Sequence, residues 1–98
     1  MKNILSEVQV VPIKPMNGLV GFASFVFDNC IYLGSIGIYT RPEGGYRLTY
    51  PTRKTVTSSL NIFHPINKEI AIEIENIVIA KFEDVMKTYV GHNSFNTE

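Results

Sequence analysis

Apolar and polar residues alternate in short runs along the first two thirds of the chain. A period of two is the pattern of strands with one buried face, and these runs are rich in β-branched and aromatic residues. The pattern predicts a twisted antiparallel sheet of about five strands, over residues 7–13, 19–27, 30–39, 46–50 and 60–63.

Turn-forming residues separate the runs. Pro12 cannot donate a hydrogen bond to a neighbouring strand, so it indicates an edge or a strand end. Residues 52–59 are polar, basic and rich in hydroxyl groups, and they are predicted to form a loop. The predicted turns lie at Pro15, Asn17 and Gly18, at Asp28 and Asn29, and at residues 42–45.

After residue 66 the apolar period changes to that of a helix. Asn67 is the predicted N-cap, and Gly91 the predicted stop. The spacing i, i+4, i+7, i+8 predicts an amphipathic helix of about five or six turns. Its core-facing residues are predicted to be Ile70, Ile74, Ile77, Val78, Phe82, Val85, Met86 and Tyr89.

A second apolar stripe runs along the same helix. Ile72, Ile79 and Met86 recur every seven residues, offset from the first stripe. A helix that is apolar on two sides is usually buried on two sides. The stripe is explained either by a wide core-facing surface or by a dimer interface at Ile72 and Ile79, and both explanations stay open.

These elements predict one α+β domain, a sheet followed by a single long C-terminal helix. The chain has 98 residues, enough for one domain. We expect the domain to span residues 1–90 and residues 91–98 to form a flexible polar tail. The charged fraction is low, 18%, which fits a small protein that hides surface in a dimer but also fits a monomer.

The compartment follows from cysteine usage and from the absence of long apolar runs. Cys30 is the single cysteine, so neither an intrachain disulfide nor a cysteine-based metal site is possible. The first seven residues lack the apolar core of a signal peptide, and no apolar run approaches the ~20 residues that span a bilayer. We expect a cytoplasmic protein with no membrane partner.

A basic segment with interleaved aromatic residues is the main candidate for binding chemistry. Net charge is zero, but residues 1–67 carry +3 and residues 68–98 carry −3. Cations, hydroxyls and rings together suit phosphates and exposed bases, although a solvated loop is the commoner explanation. The segment contains Arg41, Arg47, Arg53 and Lys54, the rings of Tyr39, Tyr46 and Tyr50, and the hydroxyls of Thr52, Thr55, Thr57, Ser58 and Ser59.

No constellation of residues indicates catalysis. His64 stands alone before Pro65, without a partner at the spacing of a catalytic triad or metal site. The helix carboxylates are predicted to form a solvated polar face instead of an acid/base pair. We therefore expect no catalytic residue, no metal, no cofactor and no small-molecule substrate.

Two segments before the helix resemble the stage V sporulation protein G family (SpoVG, septation protein G). Residues 51–55, Pro-Thr-Arg-Lys-Thr, are similar to the family's Pro-Ser-Lys-Arg-Thr-like segment. Residues 62–67, Ile-Phe-His-Pro-Ile-Asn, are similar to its Ala-His-Pro-Ile-Asn-like segment. Residues 23–28, Ala-Ser-Phe-Val-Phe-Asp, resemble its Ala-Ser-x-x-Phe-Asp strand, and the resemblance covers residues 7–86.

The resemblance implies a small bacterial regulator that is generally dimeric, binds DNA and RNA, is linked to sporulation and septation, and is not an enzyme. The family's basic pair falls on Arg53 and Lys54, in reversed order here, with Thr52 and Thr55 as candidate phosphate contacts. One departure is the helix, which carries −2 over residues 68–87, whereas family helices often carry basic residues.

Three hypotheses follow. The first is a homodimeric, SpoVG-like regulator that binds DNA or RNA through Arg53 and Lys54, supported electrostatically by Arg41 and Arg47. The second is a protein-interaction module of the same fold with little nucleic-acid affinity, favoured by the acidic helix. The third is a small enzyme built around His64, which a pocket holding His64 beside a carboxylate would support.

Overall fold

The main sheet has four antiparallel strands in the order β1-β2-β3-β4. A computed structural model describes residues 4–93, with side chains for residues 4–88. The strands are β1 (Leu5–Met16), β2 (Leu19–Phe27), β3 (Ile31–Thr40) and β4 (Tyr46–Thr49). β1 is an edge strand, as Pro12 predicted, so the missing N–H of Pro12 breaks no ladder.

The strands reverse at the turns that the sequence predicted, except that Pro15 belongs to β1 and the first turn consists of Asn17 and Gly18. Asn17 and Gly18 have φ values of 55° and 90°, and Asp28 and Asn29 have φ values of 53° and 57°. Positive φ at both central residues is what a type I′ turn requires, and its twist matches the twist of the flanking strands. The Cys30 N–H donates to the carbonyl oxygen of Phe27 at 2.9 Å and closes the second of these turns.

The segment after β4 differs from the prediction. It forms a separate hairpin of β5 (Thr52–Lys54) and β6 (Ser59–Asn61), where the sequence predicted a loop at 52–59 and a fifth strand of the main sheet at 60–63. The pattern missed β5 because its three residues are all polar and show no alternation. The Ile62 N–H donates to Pro51 O at 3.0 Å, which fixes the base of the hairpin.

Helix α1 (Lys68–Asn93) follows the hairpin. Asn67 is its N-cap, as predicted, because its Oδ1 accepts the N–H groups of Glu69 at 2.8 Å and Ile70 at 3.1 Å. The predicted stop at Gly91 is wrong, since the helix continues to Asn93. Glycine permits a left-handed helix end without imposing one. Of the expected tail, residues 94–98 lie outside the described residues, as does the side chain of Tyr89.

The core lies between α1 and one face of the main sheet, which we call the inner face. Phe25, Ile36 and Ile38 from the sheet and Val78 and Phe82 from the helix are almost fully buried. These helix residues belong to the predicted core stripe. Tyr46 packs edge-on against Phe82, with ring centroids 5.0 Å apart.

The alternation of side chains along the strands determines which residues lie on the opposite face of β1–β4, which we call the outer face. Phe22 and Ser24 alternate with the buried Gly21, Ala23 and Phe25 along β2, so their side chains point away from α1. In β3 and β4, Tyr32, Tyr39 and Arg47 lie on the same outer side, since Tyr32 pairs with Val26 and Tyr39 with Arg47. No described helix covers this face.

Candidate nucleic-acid interface

The β5–β6 hairpin displays the predicted basic pair on a strand. Every residue of β5 and β6 is exposed, and the two strands pack mainly against each other. Arg53 and Lys54 therefore stand on a solvent-exposed arm.

Strand alternation gives this hairpin two different faces. The register pairs Thr52 with Asn61, Arg53 with Leu60, and Lys54 with Ser59. Directly opposed residues share a face and adjacent residues do not. Lys54 thus lies among hydroxyl and amide groups. The side chain of Arg53 projects from the opposite face, next to Leu60. The pair that looks contiguous in the sequence is divided between two surfaces.

Thr55 closes the tip of the hairpin. Its N–H donates to Ser58 O at 2.7 Å, its hydroxyl donates to the same oxygen at 2.9 Å, and its Oγ1 accepts the Ser58 N–H at 3.0 Å. The side chain predicted as a phosphate contact is therefore committed to the turn. Thr52 makes no such bond among the described residues and is exposed at the start of β5.

Arg41 lies away from the hairpin and is engaged within the domain. Its Nε donates to Tyr46 O at 3.0 Å, and its Nη2 donates to Glu75 Oε2 at 3.3 Å. Nη1 also lies 4.0 Å from Glu43 Oε2. Glu75 is thus a half-buried partner and not one of the solvated carboxylates that the helix pattern predicted.

Arg47 lies on the outer face of the main sheet, apart from both Arg41 and the hairpin arm. Its guanidinium carbon is 5.1 Å from the centroid of the Tyr39 ring, directly across the β3–β4 pair. This is a cation–π contact. The four predicted cations are therefore spread over the hairpin, the helix side and the outer face.

Two of the three rings in the basic segment, Tyr46 and Tyr50, are packed inside the domain. Tyr46 faces Phe82, and Tyr50 packs edge-on to Phe63 with centroids 6.0 Å apart. Phe22 and Tyr32 are instead exposed, at 42% and 70%. Sequence reasoning missed them because they lie outside the basic segment, although the alternation along β2 already sets Phe22 apart from Phe25.

A small apolar cavity of about 150 Å³ lies beneath His64. The Tyr50 hydroxyl is buried without a hydrogen-bond partner among the described residues. Burial, and secondarily the charge of Glu75, raises the pKa of Tyr50 to about 12. The cavity is lined by Phe25, Phe27, Leu33, Tyr50, Phe63, His64, Pro65, Ile70 and Ile74.

His64 has no carboxylate beside it in that lining. Its Nδ1 lies 3.0 Å from the carbonyl oxygen of Pro65. Among residues 4–88, no group of three or more acidic, histidine or cysteine side chains is placed to hold a metal ion. The geometry that would have supported an enzyme, an imidazole paired with a carboxylate in a pocket, does not occur at this cavity.

The proposed dimer residues differ in exposure. Ile72 is 48% exposed, Ile79 is half-buried, and Met86, third in the stripe, packs against the core. The segment leading to the helix also exposes large apolar residues, among them Leu60, Ile62 and Ile66. Within the described part of the chain, α1 is not apolar enough over a sufficient length to cross a membrane.

Comparison with known proteins agrees with the motifs. The sequence model of the SpoVG family matches residues 3–84. A Phytoplasma australiense protein named "Putative septation protein SpoVG" is 35% identical over 88 residues, which are 86% of this chain and 91% of that protein. Proteins of the same name from Treponema denticola and Caldicellulosiruptor saccharolyticus are each 30% identical, over 81% and 84% of this chain and 85% and 93% of those proteins.

Proposed function

Because the chain belongs to the SpoVG family, we propose that it is a cytoplasmic, homodimeric, non-catalytic regulator that binds DNA or RNA through the β5–β6 hairpin. The observation that carries the proposal is the exposed arm bearing Arg53 and Lys54. Between Glu43 and Glu69 the chain contains Arg47, Arg53, Lys54 and Lys68 and no carboxylate. A phosphate backbone therefore meets no negatively charged side chain of this segment.

The division of the hairpin into two faces favours contact with phosphates on both sides of the arm. Lys54 lies beside Ser59 and Asn61, whose hydroxyl and amide groups suit hydrogen bonds to phosphate and sugar. The side chain of Arg53 projects from the opposite face of the hairpin. The hairpin therefore suits insertion between two backbone segments better than attachment to one flat surface.

Two cations give weak binding, which makes dimerisation part of the proposed mechanism. A second hairpin on a partner copy doubles the number of phosphates neutralised and turns the second contact into an intramolecular one. The exposed Ile72 and half-buried Ile79 are the surface proposed to join the copies. Burying such side chains contributes about 25 cal/mol per Å² of apolar surface removed from water.

Salt titration of binding tests the hairpin. Fluorescence polarisation with a labelled oligonucleotide measures affinity for wild type and for Arg53→Ala/Lys54→Ala across a series of salt concentrations. The slope of log K against log salt is about −0.9 per phosphate neutralised on duplex DNA. The double variant should bind more weakly and with a slope shallower by about 1.8 per hairpin.

Lys81→Ala/Lys87→Ala is the matched control, because it removes the same charge from exposed positions of α1. It should bind as wild type does. The hairpin assignment is wrong if wild type shows no salt-dependent binding, or if the hairpin variant binds as tightly as this control.

A protein-interaction module is the second candidate function. The exposed side of α1 carries Glu69, Glu73, Glu83 and Asp84, a charge that repels phosphate. A folded dimer without nucleic-acid binding at about 50 mM salt, where electrostatic binding is strong, would favour the module. Salt-dependent binding that is lost in the hairpin variant would exclude it.

A further inference from the structure

We propose that the outer face of β1–β4 is a stacking platform for the unpaired bases of single-stranded nucleic acid. This rests on the proposed function and specifies its substrate class. The hairpin supplies contacts to phosphates, and this face supplies contacts to bases. Bases inside a duplex are stacked on each other and cannot lie on a protein surface in this way.

The Tyr32 side chain lies on the outer face next to Gly34 and is largely open to solvent. Gly34 creates the space for it: a Cβ added at Gly34 would stand 3.3 Å from both Cε2 and Oη of Tyr32. The ring remains 70% exposed. An exposed aromatic ring on a sheet surface is the element on which bases stack in single-strand binding proteins.

Phe22 and Tyr39 extend the aromatic surface across the sheet. Phe22 on β2 pairs with Gly37 on β3, and Tyr39 follows two residues later on the same outer side. Leu19, Tyr39 and Thr49 crowd the position of Gly37, where an added Cβ would meet Thr49 Oγ1 at 2.7 Å. The glycine leaves room for these three side chains to lie over the sheet at this position.

A bulge opens a shallow depression beside the two exposed rings. Ala23 pairs with Ile36 and Phe25 with Leu33, so Ser24 faces two residues of β3, and one of them, Ser35, has a φ of 61°. The depression has a volume of about 420 Å³, within the roughly 300–1,000 Å³ of small-ligand clefts. Its lining includes Gln9, Val11, Phe22, Ser24, Tyr32 and Ser35.

Charge and polarity favour nucleic acid as the occupant. Among the residues that pair between neighbouring strands of β1–β4, Arg47 is the only basic one on this face. Its guanidinium lies over the Tyr39 ring. Glu7 is the only carboxylate within β1–β4, and it lies in the β1 bulge between Ser6 and Gln9. Rings interspersed with an amide, hydroxyls and a guanidinium suit bases, whereas an obligate dimer face is more uniformly apolar.

The test compares three labelled probes on the full chain: a thymidine strand of roughly 12 nucleotides, an abasic strand of equal length, and a duplex. Phe22→Leu and Tyr32→Leu remove a ring but keep an apolar side chain at an exposed position. Each should weaken binding of the thymidine strand about 5- to 100-fold and leave binding of the abasic strand unchanged. Phe22→Tyr and Tyr32→Phe retain the ring and should bind as wild type.

The outcomes separate this proposal from the hairpin proposal. If the leucine variants bind the thymidine strand as wild type does, or wild type binds the abasic strand equally well, the platform is overturned while salt-dependent hairpin binding still stands. If wild type binds no probe, both proposals fail. If the leucine variants convert a dimer to a monomer in light scattering, the face belongs to a second copy and the platform is overturned.

Discussion

Arg41 joins Glu75 across the space between the β3–β4 turn and helix α1, with Nη2 and Oε2 3.3 Å apart. The same guanidinium donates from Nε to Tyr46 O at 3.0 Å, so one side chain ties the start of β4 to the N-terminal third of the helix. Both partners are partly exposed, at 39% and 28% of their side chains, so water screens the ion pair and its contribution is modest.

Arg41→Ala should lower the free energy of unfolding by about 1 kcal/mol, measured by urea denaturation. The loss combines the hydrogen bond to Tyr46 O with a screened ion pair. Arg47→Ala is the control, because Arg47 lies on the open outer face and touches Tyr39 alone in the described contacts. An unfolding midpoint for Arg41→Ala equal to that of Arg47→Ala would show that Arg41 does not tie the turn to the helix.

Tyr50 should make stability fall with pH in the alkaline range. Its folded pKa is raised to about 12, chiefly by burial, while the unfolded chain titrates near 10. Above pH 10 the unfolded state therefore binds fewer protons than the folded state, and stability decreases until the folded hydroxyl also ionises. Ultraviolet titration of the phenolate and denaturation between pH 9 and about 12 measure both effects.

Tyr50→Phe separates this hydroxyl from the other tyrosines. It should remove the high-pKa component of the titration and flatten the loss of stability with pH. It should also raise stability at neutral pH by roughly 1 kcal/mol, because it removes a buried hydroxyl that has no partner among the described residues. A variant less stable than wild type would mean that the hydroxyl is bonded in solution.

Gly21 and Gly34 should respond very differently to alanine. At Gly21 the added Cβ would stand 3.0 Å from the carbonyl oxygen of Val11 and 3.2 Å from Cε1 of the buried Phe82. At Gly34 it would meet the exposed ring of Tyr32, which can turn away. Thermal denaturation should show Gly21→Ala destabilised by about 1–3 kcal/mol and Gly34→Ala by clearly less; equal losses would contradict this packing.

Asn67→Ala should destabilise the protein by about 1 kcal/mol. The Asn67 side chain accepts hydrogen bonds from the N–H groups of Glu69 and Ile70 at the first turn of α1. Alanine has no oxygen to accept them, so both N–H groups lose this partner. Asn67→Asp retains an accepting oxygen and places a negative charge at the helix N-terminus, where it is favoured. The assignment is wrong if the alanine and aspartate variants have the same melting temperature.

Periodicity predicted the elements that bury one face. β2 occupies the predicted residues 19–27, the helix begins beside its predicted cap, and the core residues Val78 and Phe82 come from the predicted stripe. These succeed because burial imposes a period of two or 3.6 on the chain. β5 has no buried face, so its three polar residues carried no such signal, and the hairpin appeared as a loop.

The candidate site was predicted in composition more than in arrangement. Arg53 and Lys54 are exposed as expected, but alternation places them on opposite faces of the hairpin. Tyr46 and Tyr50 lie near the cations in the sequence and yet face the core, whereas the strand pairing places Phe22 and Tyr32 on the same outer face. Proximity along the chain cannot reveal which side of a sheet a residue faces; the pairing register decides it.

The self-contained hydrogen bonding of the β5–β6 hairpin has a consequence for how such a protein can diversify. Its tip is closed by Thr55 and Ser58, and its base by Ile62 and Pro51. Substitutions at Arg53, Lys54 or Ser59 therefore leave the packing around Phe25 and Val78 untouched. Selection can exchange the side chains of this arm, and with them the target, while the folding of the domain stays the same.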